Sequence, residues 1–290
     1  MKKNFLILGS NGSLGKKVLK IFNSKKNYYF KTVAKKNADF NLNLENLKKI
    51  EKIIKNYDFN YVINCAAYTN LQYCEKNYKK ILKINTKLPT KLSKWSSKYH
   101  FKYIHISTDH IYVSKAKNYN SENSKIGWHN KYSKSKYLAE KNLLNKSRVL
   151  VIRTNFVDNR RNKKSFLNWL HHHIKHNKKI PLFFDMYTST IDLKTFVKIL
   201  ISLTVTNSSG IFNIGSSQIL SKKEFALKYF KKLKVQPSYM DVKTNNSMET
   251  SFKRGRYLGL KVKKIEKKLK IKMPNSKKVI NNLFYENIRN

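Results

Sequence analysis

The chain alternates unbroken apolar runs with segments of helical period. Phe5 to Leu8 is four apolar residues in a row, the pattern of a strand buried on both faces. Leu14, Val18, Leu19 and Phe22 follow at helical spacing. Tyr28 to Ala34 reads as a second strand, and Leu44 to Tyr57 as a helix with Leu47, Ile50, Ile53 and Ile54 on one face. Tyr61 to Thr69 predicts a buried strand ending in small residues. Helices are expected over Tyr73–Asn85 and Leu88–Tyr99, then a strand over Ile104–Asp109 whose C-terminal end gathers polar groups. Residues 131–144 (KYSKSKYLAEKNLL) are helical, Val149–Arg153 is a strand, and Phe166–Lys175 and Ile191–Thr204 are helices. Gly210–Gly215 is a short late strand. Ser221 with Glu224 three residues on is a capping box, and Lys263–Leu269 closes the series as a helix. Strands alternating with helices imply an α/β fold with a Rossmann-type, doubly wound parallel sheet.

Composition narrows the setting. With 290 residues, 40% hydrophobic and 13% aromatic, the chain can bury one large α/β core, alone or with a smaller lobe. No apolar run reaches membrane-spanning length, and Met1-Lys2-Lys3 leads straight into the first strand, so a cytoplasmic protein without a signal peptide is expected. Cys65 and Cys74 make neither a disulfide framework nor a zinc site by themselves. The formal charge of +46 points at first to nucleic acid or anionic lipid. However, the lysines are spread along the whole chain, arginines are few, and Lys, Asn, Ile, Tyr and Phe are all encoded by AT-rich codons. Base composition therefore explains the charge without a nucleic-acid partner. A basic surface still attracts an anionic nucleotide.

Three stretches carry candidate chemistry. Gly9, Gly12 and Gly15 stand as G-x-x-G-x-x-G between the first strand and first helix, where a turn can bring the backbone close to a pyrophosphate at the helix N-terminus. The second strand ends Ala34-Lys35-Lys36 with no acid to bind ribose hydroxyls, which leans towards NADPH, with NADH the alternative. Asp39 is either a turn residue or an adenine contact. Tyr132 and Lys136, four apart in a helix, stack on one face, and a nearby ammonium is expected to lower the phenol pKa towards neutrality. Tyr132 then becomes a general acid/base. His171, His172, His173 and His176 point in different directions on their helix and read as a polar face rather than a metal site.

Taken in order, the motifs resemble the extended short-chain dehydrogenase/reductases, and more closely the dTDP-4-dehydrorhamnose reductase family of nucleotide-sugar reductases. The likeness runs over nearly the whole chain. It is carried by GSNGSLG (9–15), ADFNL (38–42), VINCAAYTN (62–70), KIN (83–85), HISTDHIY (105–112), NKYSKSKYLAE (130–140), VIRTNFV (151–157), GIFNIGSS (210–217) and the basic tail from Lys253. The resemblance implies a catalytic triad of Thr108, Tyr132 and Lys136. It implies cofactor contacts from Gly9, Asn11, Gly12, Ser13, Leu14, Gly15, Asp39, Phe40, Ala66, Ala67, Tyr68 and Asn85, together with Tyr132 and Lys136. Thr108, Asp109, Phe156 and Arg254 are the substrate candidates. Thr108-Asp109-His110 stands where the related dehydratases carry Thr-Asp-Glu, which argues against dehydration. Asp185–Thr190 and Arg254-Gly255 depart from the usual Gln-x-Gly-x-Pro-Thr and Arg-Pro, and both departures bear on which sugar is bound.

The implied activity is reduction of the C4 ketone of a nucleotide-linked 4-keto-6-deoxy sugar in surface-polysaccharide synthesis. Rivals are a nucleotide-sugar epimerase with no net redox and a non-catalytic NADP-binding regulatory subunit. The family also implies a cofactor domain over 1–153, with 189–215 returning to it, and a smaller substrate-binding lobe over 154–188 and 216–290. The expected partner is the nucleotide sugar, with no nucleic acid and no membrane insertion. A homodimer is an open expectation.

Overall fold

The computed structural model describes residues 2–144, 146–158, 165–206, 208–237, 240–244 and 252–288. The first half runs β1 (Lys3–Leu8), α1 (Ser13–Phe22), β2 (Tyr28–Ala34), β3 (Phe40–Asn41), α2 (Leu47–Asn56), β4 (Tyr61–Asn64), α3 (Leu71–Lys76), α4 (Tyr78–Leu82), α5 (Leu88–Lys98), β5 (Lys102–Ile106), α6 (Lys131–Leu143) and β6 (Val149–Thr154). It continues with β7 (Phe156–Val157), α7 (Phe166–Lys175), β8 (Ile180–Phe183), β9 (Tyr187–Thr188), β10 (Ile191–Asp192), α8 (Leu193–Thr204) and β11 (Gly210–Ile214). The last elements are β12 (Leu220–Ser221), α9 (Lys222–Leu233), β13 (Met240–Lys243), β14 (Tyr257–Leu258), α10 (Lys263–Leu269) and α11 (Ser276–Ile288).

Seven strands form one sheet in the order β11-β6-β5-β4-β1-β2-β3. Every pair from β6 to β3 is parallel. This is the Rossmann order, with the switch in winding between β1 and β4, the place where such sheets bind ligands beyond their C-terminal ends. β1 shows why the apolar run is unbroken. Leu6 and Leu8 join a core cluster with Val62, Ile50, Leu92 and Trp95. Phe5 turns the other way, 4.5 Å from Phe22 of α1 and 4.8 Å from Tyr61 by ring centroids.

By its internal contacts the chain divides into two units: Met1–Ile111 with Gly127–Arg153 and Val197–Phe212, and Tyr112–Ile126 with Thr154–Phe196 and Asn213–Asn290. Among the described residues the second unit holds three small sheets, β10-β7, β12-β9-β14 and β13-β8. Asn213 pins it from inside: its amide donates to the Asn120 carbonyl at 2.9 Å and its Oδ1 accepts from Tyr112 at 2.8 Å.

Several element boundaries differ from the sequence expectation, each for a local reason. The helix expected over 73–85 is divided. Asn77 leaves the helical backbone region and donates to the Tyr73 carbonyl at 3.1 Å, and a widened π turn covers Lys83–Lys87. α2 begins three residues late because Asn46 caps it, accepting from Lys49 N at 3.1 Å. The strand expected over 61–69 stops at Asn64, whose Oδ1 accepts the Ala66 N–H at 3.1 Å and turns the chain. Ile191-Asp192 pairs with β7 before α8 starts, and Asp192 takes the Thr195 N–H at 2.8 Å. Ser221 and Glu224 form the expected capping box on α9. Among the described residues no helix is long and apolar enough to cross a membrane.

Candidate active site

The glycine turn lies at the C-terminal end of β1. Gly9 has φ +76°, and a β-carbon there would stand 2.8 Å from the Ala66 side chain. A β-carbon on Gly15 would stand 2.5 Å from the Gly9 carbonyl oxygen and 2.6 Å from Ser10 Cα. Both contacts are far inside ordinary van der Waals distance, so this turn needs glycine at its two ends. Gly12 is the N-cap of α1 and supplies no side-chain hydrogen bond, so the helix opens on backbone alone. Leu14 is buried in the core, whereas Ser13 is half-buried and Asn11 exposed. Asn11 Nδ2 donates to the Lys36 carbonyl at 2.5 Å, which ties the Lys35-Lys36 segment to the glycine turn.

Other expected cofactor contacts are placed less directly. The Asp39 carboxylate folds back on β2. It accepts from Thr32 N at 2.9 Å, Thr32 Oγ1 at 2.6 Å and Lys31 Nζ at 3.1 Å. Burial pushes its pKa up, but these bonds together outweigh burial and hold it low. Phe40 packs edge-on against Tyr57. Ala66 lies against Gly9, Ala67 is exposed, and the Tyr68 ring stacks on Tyr73. Asn85 is fully buried in the π turn. Its Oδ1 accepts from Tyr68 N at 2.9 Å, and its Nδ2 donates to Tyr68 O at 2.9 Å and Ser135 Oγ at 3.0 Å. It therefore stands behind the 66–68 loop and fastens it to α6. A π turn inserted into a helix commonly marks a functional position.

Thr108, Tyr132 and Lys136 come together at the C-terminal end of β5. Thr108 is buried. Its hydroxyl accepts from His110 N at 3.2 Å and donates to Asp109 Oδ1 at 3.3 Å, and it opposes the rise in the Tyr132 pKa. Tyr132 sits in the first turn of α6, which is fixed by a reciprocal Asn130–Ser133 capping box. The His110 ring stands edge-on to it at 6.3 Å. One turn later, Lys136 is 2% exposed; its Nζ donates to Ile106 O at 2.7 Å and lies 3.2 Å from His105 Nε2. Asp109 is 1% exposed, so its carboxylate belongs to this buried network.

The electrostatics correct one expectation. The Tyr132 pKa is raised rather than lowered. Burial is the main cause, opposed by the Thr108 hydrogen bond and reinforced by Asp109 and Cys74. Lys136 directs its hydrogen bonds to Ile106 O and His105, and bears the cost of burial itself. Burial lowers its pKa to about 8, against the opposing charge of Glu140. The Tyr132 phenol is thus neutral at physiological pH. His105 was missed by the sequence reading, although a histidine between Ile104 and Ile106 on a buried strand was a visible signal. The buried Glu140–Arg153 pair was missed as well, with Nη2 2.8 Å from Oε2.

The remaining candidates belong to the second unit. The Phe156 ring stacks on buried Phe196 at 5.0 Å, a packing role. The Arg254 guanidinium lies 5.2 Å from the Phe252 ring centroid, and burial lowers its pKa. Of the four histidines, His171 Nε2 pairs with Tyr229 OH at 2.9 Å and His173 Nδ1 with Trp169 O at 2.8 Å, whereas the His172 ring lies 4.5 Å from His176 and 5.7 Å from His173. Among the described residues no group of three or more His, Cys, Asp or Glu is arranged to hold a metal ion.

Comparison with known proteins bears on the family and the fold. The family model described as RmlD substrate binding domain matches residues 2–288. The protein named probable low-salt glycan biosynthesis reductase Agl14, of Haloferax volcanii, is 22% identical over 77% of each chain. The spore coat polysaccharide biosynthesis protein SpsK of Bacillus subtilis is 24% identical over 82% of each. Among solved structures, dTDP-4-dehydrorhamnose reductase of Bacillus anthracis in complex with NADP superposes with a TM-score of 0.89 at 21% identity, covering 99% of this chain and 100% of that one. At that identity the likeness speaks for the fold.

Proposed function

Since the chain belongs to the RmlD substrate binding domain family, we propose that it is an NADPH-dependent reductase of the C4 ketone of a nucleotide-linked 4-keto-6-deoxy sugar. The observation that carries this reading is the gathering of buried Thr108, half-buried Tyr132 and buried Lys136 at the end of β5, with the phenol held protonated. The relatives named for glycan and polysaccharide synthesis support a product destined for a surface glycan. We place the reaction in the cytoplasm, with the first unit as the cofactor part and the second as the substrate part.

The residues present fit a dinucleotide. The Gly9–Gly15 turn lies at the switch point of the sheet, and Gly12 opens α1 there with no side chain to stand before the helix N-terminus. It would hold the pyrophosphate, with Lys35 and Lys36 beside it for a 2′-phosphate and Lys136 for the nicotinamide ribose. The reduced nicotinamide, when bound, supplies the hydride. Thr108 and Tyr132 donate hydrogen bonds to the ketone oxygen, where negative charge develops. Tyr132 then gives its proton to that oxygen, completing the alcohol. The Lys136 ammonium stabilises the phenolate left behind, which regains a proton from solvent. Phe156 and Arg254 are kept as candidates for the sugar nucleotide.

The test uses NADPH deuterated at the transferred position with dTDP-4-keto-6-deoxyhexose. Deuterium at C4 of a 4-hydroxy product is expected. An isomerised sugar with NADPH unconsumed would replace this reading with the epimerase. NADPH bound but neither sugar nor cofactor changed would favour the regulatory subunit.

A further inference from the structure

Lys136 has a buried partner that the proposed reaction does not yet use. His105 is fully buried on β5, with Nε2 3.2 Å from Lys136 Nζ and Nδ1 3.0 Å from the Tyr103 hydroxyl. Tyr103 is also fully buried, with the Asn64 side chain opposing the rise that burial gives its pKa. Asn64 Oδ1 takes the Ala66 N–H at 3.1 Å, and Ala66 is the residue against which Gly9 packs. Hydrogen bonds therefore run from Lys136 through His105 to Tyr103, and Asn64, the register partner of His105 on β4, holds the Ala66 turn.

The chemistry of the chain fixes its protonation. An ammonium has only donors, so the nitrogen facing it must be bare. Burial, helped by the Lys136 charge, keeps the His105 ring neutral, leaving one ring proton to place. That proton lies on Nδ1 and goes to the Tyr103 oxygen. We propose that His105 is a positioning residue for Lys136: its neutral ring accepts from the ammonium through Nε2, is oriented by Tyr103, and holds the lysine beside the Ile106 carbonyl at the end of β5. This rests on the role given to Lys136 in the proposed reaction. The titratable and charged groups facing the lysine and Tyr132 are His105 and Tyr103 on β5, Asp109 and His110 after it, Glu140 on α6, Arg153 through Glu140 on β6, and Cys74 on α3.

The test compares His105→Gln, whose amide oxygen reaches the Nε2 position, with His105→Asn, which reaches only Nδ1, and with His105→Leu. NADPH binding by each variant checks folding. Gln is expected to keep kcat near wild type. Asn and Leu are expected to lose at least about tenfold and to move the alkaline limb of the pH profile to lower pH, because the ammonium has lost an acceptor. Equal kcat and equal pH limbs for Gln and Asn would overturn the proposal. A second arm is independent of activity. Nitrogen-15 spectra of the 8 histidines, with His105 assigned by its loss in His105→Gln, read the tautomer directly. An Nδ1–H tautomer at neutral pH, with an Nε2 signal that shifts in Lys136→Met, is expected. An Nε2–H tautomer, or indifference to Lys136→Met, would overturn the proposal even if the chain proves not to reduce the sugar. Wild type silent on the sugar with the expected tautomer would instead count against the reductase alone.

Discussion

Arg153 forks onto Glu140 inside the protein, with Nη2 2.8 Å and Nε 3.1 Å from Oε2, and the two side chains are 1% and 0% exposed. Glu140 is also one turn beyond Lys136, and its charge works against the burial that lowers the lysine pKa. Removing one partner leaves the other charge buried. Arg153→Met or Glu140→Gln is expected to cost about 3–5 kcal/mol, read by urea unfolding, whereas the double replacement with methionine recovers much of the loss. Single variants as stable as wild type would show that the pair is not needed.

The glycine turn separates packing from ligand approach. A β-carbon on Gly15 meets backbone at 2.5 Å, whereas one on Gly12 meets only the Gly9 carbonyl at 3.3 Å. Gly15→Ala should therefore lower the melting temperature by several degrees, on the order of 1–3 kcal/mol of strain. Gly12→Ala should melt near wild type yet bind NADPH more weakly, since its position opens α1. Calorimetry and a fluorescence titration of NADPH check both. Equal melting of the two variants would contradict this division.

Much of this was legible in the chain itself. The run Phe5–Leu8, the glycines after it and the Tyr132–Lys136 spacing located the first strand, the turn and one helix face, because each is local and periodic. What stayed hidden depends on contacts across the chain. The Lys136–His105 bond spans 31 positions, and Asn85 reaches Tyr68 and Ser135 from either side. The two-residue strands β7, β9, β10, β12 and β14 have no periodicity to read. The direction of the Tyr132 shift was misread for the same reason. The i to i+4 spacing puts both residues on one helix face, but the ammonium turns to Ile106 O and His105, and burial, which only the fold supplies, raises the phenol pKa.

The lysine pKa gives a pH window. In the folded chain Lys136 sits near 8, below its ordinary 10.5. Between these values the unfolded chain binds the extra proton, so this site makes stability rise with pH. That contribution is complete above 10.5 and lost as pH falls through 8. Wild type should gain up to about 3 kcal/mol relative to Lys136→Met across the window. Matched urea titrations at several pH values measure it. Parallel curves for the two proteins would contradict the placement of the charge. In catalysis the ammonium is the working form, so kcat should decline above pH 8.

Asn11 fastens the Lys36 carbonyl beside the glycine turn. Replacing Lys35 and Lys36 together with alanine should raise KM for NADPH by about tenfold and leave NADH nearly unchanged, because only the former carries the extra phosphate. An equal effect on both cofactors would remove these lysines from the phosphate site.

The most direct measurement is NADPH oxidation, followed by nicotinamide absorbance, on dTDP-4-keto-6-deoxyhexose with wild type and Tyr132→Phe side by side, and with NADPH affinity measured for both. The account predicts that wild type oxidises NADPH. It also predicts that Tyr132→Phe binds NADPH normally and loses about 10²–10⁴ in kcat, the contribution of a positioned acid. Tyr132→Phe turning over at the wild-type rate would remove Tyr132 as the proton donor, and with it the mechanism proposed for this site.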